Sequence, residues 1–137
     1  MNLIIISLIT FLAHLPTNLY RLKVEVVGLR SNKGQVMVAL YRDTDDFPSK
    51  KGRYKYLLLK PQNHTAIGVF EDLQPGKYAI AAILDENKSF DMDKNIVGFP
   101  TEQYGFSNNA REQFSAPSFQ KASFDLHTDR KIQIKVE

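Results

Sequence analysis

Cysteine is absent from this chain of 137 residues, and that absence removes several kinds of chemistry together. No disulfide staples the fold, no thiolate serves as nucleophile, no sulfur holds zinc, and no lipid anchor forms on a leader cysteine. A chain of this length buries enough core to stand without staples, as one domain. Charge of one sign is lacking too: 18 Lys and Arg stand against 15 Asp and Glu, for a net charge of +3. The two signs are interspersed, so the broad basic footprint of a nucleic-acid binder is missing. The densest basic stretch, Lys50-Lys51-Gly52-Arg53-Tyr54-Lys55-Tyr56, reads as a solvated loop leading into a strand. Catalytic signatures are equally scarce. There is no G-x-S-x-G elbow, and of the three His neither His64 nor His127 has partners at zinc-ligand spacing. No enzyme is expected.

Charge also fails at the N-terminus. Residues 1–20 contain no Lys, Arg, Asp or Glu, and residues 3–15 are almost unbroken apolar sequence. That run is shorter than the roughly 20 residues a bilayer span needs but fits the apolar region of a secretory signal. Residues 1–19 are therefore expected to be a signal peptide or hydrophobic leader, and 20–137 a single domain with no membrane span. No Lys or Arg precedes the apolar run, and the break falls around residues 14–18. A buried N-terminal strand is the alternative. An exported domain without disulfides fits the bacterial periplasm or a bacterial secreted protein.

What is present is strand pattern. Residues 22–29 (LKVEVVGL) alternate apolar and polar, the period of a half-buried strand. A turn cluster at 31–34 and the apolar run 35–41 (QVMVALY) predict a hairpin with it. Shorter strands are expected at 54–59 and 65–70. Pro75-Gly76 predicts a tight turn, Pro fixing φ and Gly taking the positive φ of type II. Residues 78–84 (YAIAAIL) suit a central strand covered on both faces, and 121–127 with 131–136 predict a closing pair. There is no convincing amphipathic helix, with at most one helical turn at 108–114. The expectation is an all-β Greek-key sandwich of about seven strands.

The phrase Phe70-Glu71-Asp72-Leu73-Gln74-Pro75-Gly76-Lys77-Tyr78-Ala79-Ile80 resembles a hairpin of transthyretin-like (prealbumin-like) sandwiches, among them carboxypeptidase regulatory-like domains. A longer combination is more specific. Asp85-Glu86-Asn87, Asp93, Gly98-Phe99-Pro100, Glu102, Tyr104-Gly105-Phe106-Ser107-Asn108-Asn109 and Pro117-Ser118-Phe119 with Ala122 resemble a bacterial family of exported proteins known as a domain of unknown function. The resemblance spans roughly residues 22–136. It implies a signal peptide and a transthyretin-like sandwich, and no established activity. Leu84 stands where that family often has His, and Lys88-Ser89-Phe90 where it commonly has Gly-Asn-Gly.

The connection 85–109 is the expected functional face, because so long a loop in a small domain is usually functional or disordered. Asp85, Asn87, Ser89, Asp91 and Asp93 place oxygen side chains at every second residue, the spacing by which a loop wraps Ca²⁺. The match to an EF-hand loop is incomplete, since Phe90 replaces the turn Gly and Ile96 the bidentate Glu. Weak, extracellular-type affinity is the expectation, the alternative being side chains that cap the loop's own turns. Farther on, Glu102, Tyr104, Phe106, Asn108 and Asn109 set aromatic faces beside amides and a carboxylate. Such a set suits an unidentified protein or carbohydrate partner, or else its aromatics pin the loop to the sandwich. The expected function is a non-catalytic binding or envelope-associated module. A hydrolase using loop carboxylates, or an assembly domain docking by an edge strand, are the rivals.

Overall fold

The computed structural model describes residues 18–90 and 100–137. Eight strands run in chain order: β1 Tyr20–Val27, β2 Gln35–Arg42, β3 Lys55–Leu59, β4 Ala66–Leu73, β5 Gly76–Asp85, β6 Tyr104–Phe106, β7 Phe124–Leu126 and β8 Arg130–Lys135. A single helical turn, α1 Phe119–Ala122, precedes β7, and 3-10 turns lie at Lys50–Gly52 and Ser107–Asn109. No helix among the described residues is long and apolar enough to cross a membrane.

The strands form two sheets. The smaller has the order β4-β1-β8, and the larger runs β3-β2-β5-β6, with β7 also paired to β5. Alternation decides which side chains meet between them. Leu22, Val24 and Val26 of β1 face Val36, Val38 and Leu40 of β2 and Ile80, Ala82 and Leu84 of β5, all with no exposure. Burying each large aliphatic side chain contributes about 1.5–3 kcal/mol, so this interlayer carries the fold. The all-β sandwich expectation holds, with eight strands rather than about seven. The additional strand is β6, three residues inside the long connection.

Pairing differs from expectation at three places. β1 and β2 are no hairpin: β1 pairs with β4 and, in parallel, with β8, while β2 pairs with β3 and β5. β2 is buried on both faces, Met37 and Tyr41 outward as well as Val36, Val38 and Leu40 inward, so it takes the interior of the larger sheet. The Pro75-Gly76 step likewise carries the chain from one sheet to the other. The positive φ sits at Asp72 (55°), and Gly76 opens β5 instead. Finally β7 joins β5 and β8 joins β1, so the predicted closing pair is another crossing. Residues 121 and 122 belong to α1, whose N-cap Ser118 accepts from the Lys121 amide.

β5 is the hub. β2 lies along one edge, and the other edge is shared: β7 opposite residues 76–78, β6 opposite 81–83. Between those two short strands the Ile80 amide donates to Ser107 Oγ at 2.9 Å, and the Ser107 hydroxyl donates to the Ala122 carbonyl. Asn108, held at φ 60°, donates its amide to the Lys121 and Ser123 carbonyls at 3.1 and 2.7 Å. The buried gap in the ladder is thereby closed by side chains.

Candidate functional site

β2 and β5 are apolar on their outward faces as well. Met37, Ala39 and Tyr41 of β2 lie beside Ala79, Ala81 and Ile83 of β5, with Tyr104 and Phe106 of β6 beyond. Over one half of this face Phe47 closes the sheet. Its ring meets Tyr41, Phe106 and Phe119 edge to face at centroid distances of 5.1, 5.8 and 6.1 Å. That loop is braced by the Tyr41 hydroxyl, which donates to the Pro48 and Ser49 carbonyls at 3.0 Å. Burial pushes the Tyr41 phenol up to about 12, against the opposing pull of Arg53 and with help from Asp46 and Asp45. The phenol therefore stays a donor throughout the physiological range.

Over the other half no described residue closes the face. The small side chains of Ala39 and Ala81 leave a depression between Met37, Ile83, Tyr104 and Phe106, and surrounding loops wall it into a cavity of about 530 Å³. One wall is Pro48, Lys50 and Arg53; another is Phe90 and Pro100; a third runs from Glu112 to Ala116. The volume falls in the range of small-molecule sites, roughly 300–1,000 Å³. Tyr56, Phe90 and Phe114 on its rim are 50, 47 and 86% exposed, an apolar display of the sort that marks binding surfaces. The Arg53 guanidinium carbon stacks 3.9 Å over the Tyr56 ring. Glu112 is ion-paired with Lys121.

The sequence-predicted residues divide into groups. Asp85 has no exposed surface. Its Oδ1 accepts from the Ser89 amide and hydroxyl, at 2.9 and 3.2 Å, and its Oδ2 from the Phe90 amide and Gln35 Nε2, both at 2.9 Å. Burial acts to raise its pKa, but these hydrogen bonds prevail and hold the carboxyl below its ordinary value. Asn87 Oδ1 also accepts from the Ser89 amide, at 3.1 Å. Asp85, Asn87 and Ser89 thus come together in one turn, whereas Asp91 and Asp93 lie outside the described residues. Among the described residues no group of three His, Asp or Glu is placed to hold a metal ion.

Gly34, at φ 72°, packs directly on this turn. A Cβ there would sit 2.1 Å from the Asp85 carbonyl oxygen. Glu86 accepts from Arg30 Nε at 2.7 Å and from Ser31 Oγ at 2.8 Å. The Arg30 bond first, and Ser31 second, hold its carboxyl below the usual range.

In the second group, Glu102 is 6% exposed and accepts from the Glu86 amide at 3.2 Å. Asn108 clamps α1, as above, and Asn109 Oδ1 accepts from the Lys135 amide at 3.0 Å. Glu102 and the two Asn thus brace the connection against the sandwich. Tyr104 and Phe106 do line the cavity. Sequence reading missed its floor, Met37, Ala39, Ala81 and Ile83, and took its cationic rim, Lys50 and Arg53, for a solvated loop. The available signal was a pair of strands apolar on both faces with alanines at matching outward positions.

The described residues define an eight-stranded β-sandwich whose larger sheet carries an apolar cavity on its outer face. A family model described as "Uncharacterized protein conserved in bacteria (DUF2141)" matches residues 24–135, and the chain belongs to that bacterial family. No curated protein and no solved structure matches the chain.

Proposed function

We propose that this protein is an exported, non-catalytic binding module of the bacterial periplasm or exterior, and that it takes an apolar small molecule in the cavity over Ala39 and Ala81. The observation that carries this reading is the open half of the outer sheet face, walled by loops to about 530 Å³ and left apolar. Water against such a floor gains few hydrogen bonds, and an apolar ligand displaces it at about 25 cal/mol per Å² buried. A transthyretin-like relationship of the sandwich belongs to the same proposal.

The non-catalytic part rests on the described carboxylates, Asp91 and Asp93 lying outside the described residues. A glycoside hydrolase needs a carboxyl with a raised pKa as general acid. Asp85 and Glu86 are instead held as anions by donors around them, and Glu102 is tied to the Glu86 amide. Among the edge strands, β4 and β8 carry Glu71 and Asp72, and Arg130, Lys131 and Lys135, charges that discourage docking by strand pairing, whereas β3, at the edge of the larger sheet, carries Lys55 but exposes Tyr56 and Leu58. Ca²⁺ in the 85–93 segment would have to compete with the four donors already on Asp85.

A neutral fluorescent probe, N-phenyl-1-naphthylamine, tests the reading by titration against the full chain. Saturable one-to-one binding that disappears in Ala39→Phe, with the circular dichroism and melting of that variant unchanged, is the expected result. Fluorescence that never saturates, or that Ala39→Phe leaves intact, sinks it.

A further inference from the structure

Among the described residues the charges around the cavity are unbalanced, and the imbalance bears on the occupant. Among the described residues three charged side chains line it: Lys50, Arg53 and Glu112. Glu112 is engaged by Lys121, while neither Lys50 nor Arg53 has an ion-pair partner among the described residues. Of the three acidic residues on the same loop, Asp45 is gripped by Arg42 through Nε and Nη2, both at 3.0 Å, and neither Asp43 nor Asp46 lines the cavity. Two cations therefore stand at one wall, and among the described residues the one lining anion, Glu112, is taken by Lys121. Arg53 is held there by its stacking on Tyr56, so little rotamer freedom is lost when it binds.

The floor excludes most partners. Its side chains are Met37, Ala39, Ala81, Ile83 and Phe106; the Tyr41 hydroxyl donates away into the 48–49 backbone, and the other lining hydroxyls, of Tyr56, Tyr104 and Ser115, belong to the walls and rim. The β2 and β5 backbones beneath are paired with each other. A peptide or a sugar laid on this floor would bury polar groups without partners, which is costly. A methylene chain buries none.

We propose, building on the cavity reading above, that the ligand is an anionic amphiphile: an unbranched apolar tail over Ala39 and Ala81, with a carboxylate or phosphate head at Lys50 and Arg53. The head makes charge-assisted hydrogen bonds to the two cations, and the tail fills the apolar depression.

Displacement of N-phenyl-1-naphthylamine from the full chain by decanoate, decyl phosphate, decanol and decyltrimethylammonium separates the terms. Tails are equal across the set, so differences report the head. Decanoate or decyl phosphate should displace at least about tenfold better than decanol, and the better of the two identifies the head. Decyltrimethylammonium should be the weakest. The double variant K50Q/R53Q should still bind the neutral probe, which shows its cavity intact, while losing the preference for anions. Equal displacement by decanoate, decyl phosphate and decanol, or an anion preference that survives in K50Q/R53Q, overturns the amphiphile proposal and leaves the cavity reading standing. Failure of the neutral probe to bind the wild-type chain removes both.

Discussion

The Ser107 hydroxyl occupies the place of a strand, accepting the Ile80 amide at 2.9 Å where β6 and β7 leave β5 unpaired. Ser107 is 1% exposed, so no water takes over if the hydroxyl is lost. Ser107→Ala should cost about 1–3 kcal/mol, the penalty of a buried donor left without a partner. Urea denaturation reads it as a lower midpoint with an unchanged slope. A midpoint equal to wild type would mean that the ladder closes there without the side chain.

Asp85 gives the domain an acid limb. Its folded pKa lies below the ordinary carboxylate value, so its contribution is full above the unfolded value of about 3.9 and is lost as pH falls through the folded one. Stability measured by urea between about pH 5 and pH 2 should decline, and Asp85→Asn should flatten the decline. At neutral pH the same variant should be less stable by about 1–3 kcal/mol, because an amide accepts on one side only.

Tyr41 gives an alkaline limb with the opposite sign. Its folded pKa is raised to about 12, so its contribution is complete below the unfolded value of about 10 and disappears as pH rises from there toward 12. Thermal unfolding of Tyr41→Phe should be less pH-dependent across that window. At neutral pH the variant should lose about 1 kcal/mol for the Pro48 and Ser49 carbonyls it no longer meets.

At Gly34 two constraints coincide, a φ of 72° and a virtual Cβ 2.1 Å from the Asp85 carbonyl oxygen. Gly34→Ala should destabilise by more than about 1 kcal/mol. Exchange of the Ser89 and Phe90 amides, followed by NMR, should rise with it, since the turn they cap is pushed aside. Unchanged protection of those amides would show that the turn yields without opening.

The cavity floor sets a chain-length series. Each methylene laid on apolar surface is worth about 0.8 kcal/mol, or about fourfold in affinity. Alkyl carboxylates from hexanoate upward should displace the probe with that increment until the cavity is full, and then level off. A series without increments would place the tail outside the cavity.

The strands themselves were legible because period-two alternation reports which face of a strand is buried. Residues 22–29, 35–41 and 78–84 each became strands within a residue or two of expectation. Alternation says nothing about neighbours, however. Val24 and Val38 both point inward whether their strands sit side by side or on opposite layers, and they sit on opposite layers. β6 was hidden because three residues carry no period. The carboxylate, serine and amides of the long connection were visible by type, but types alone could not separate a residue that offers its oxygens outward from one, like Asp85, that spends them inward. The cavity is assembled from segments far apart in sequence, and only Ala39 and Ala81 announced it locally.

The parallel register of Leu22 with Arg130 and of Val26 with Ile134 joins the first described strand to the last. A polypeptide emerging in order from a ribosome or a pore therefore holds an incomplete smaller sheet until β8 is released. Through all of that time one edge of β1 stays open, and the valines beside it lack part of their cover. Completion waits on the closure that brings Arg130 back beside Leu22, a distant pairing that favours slow folding and late commitment to the native state.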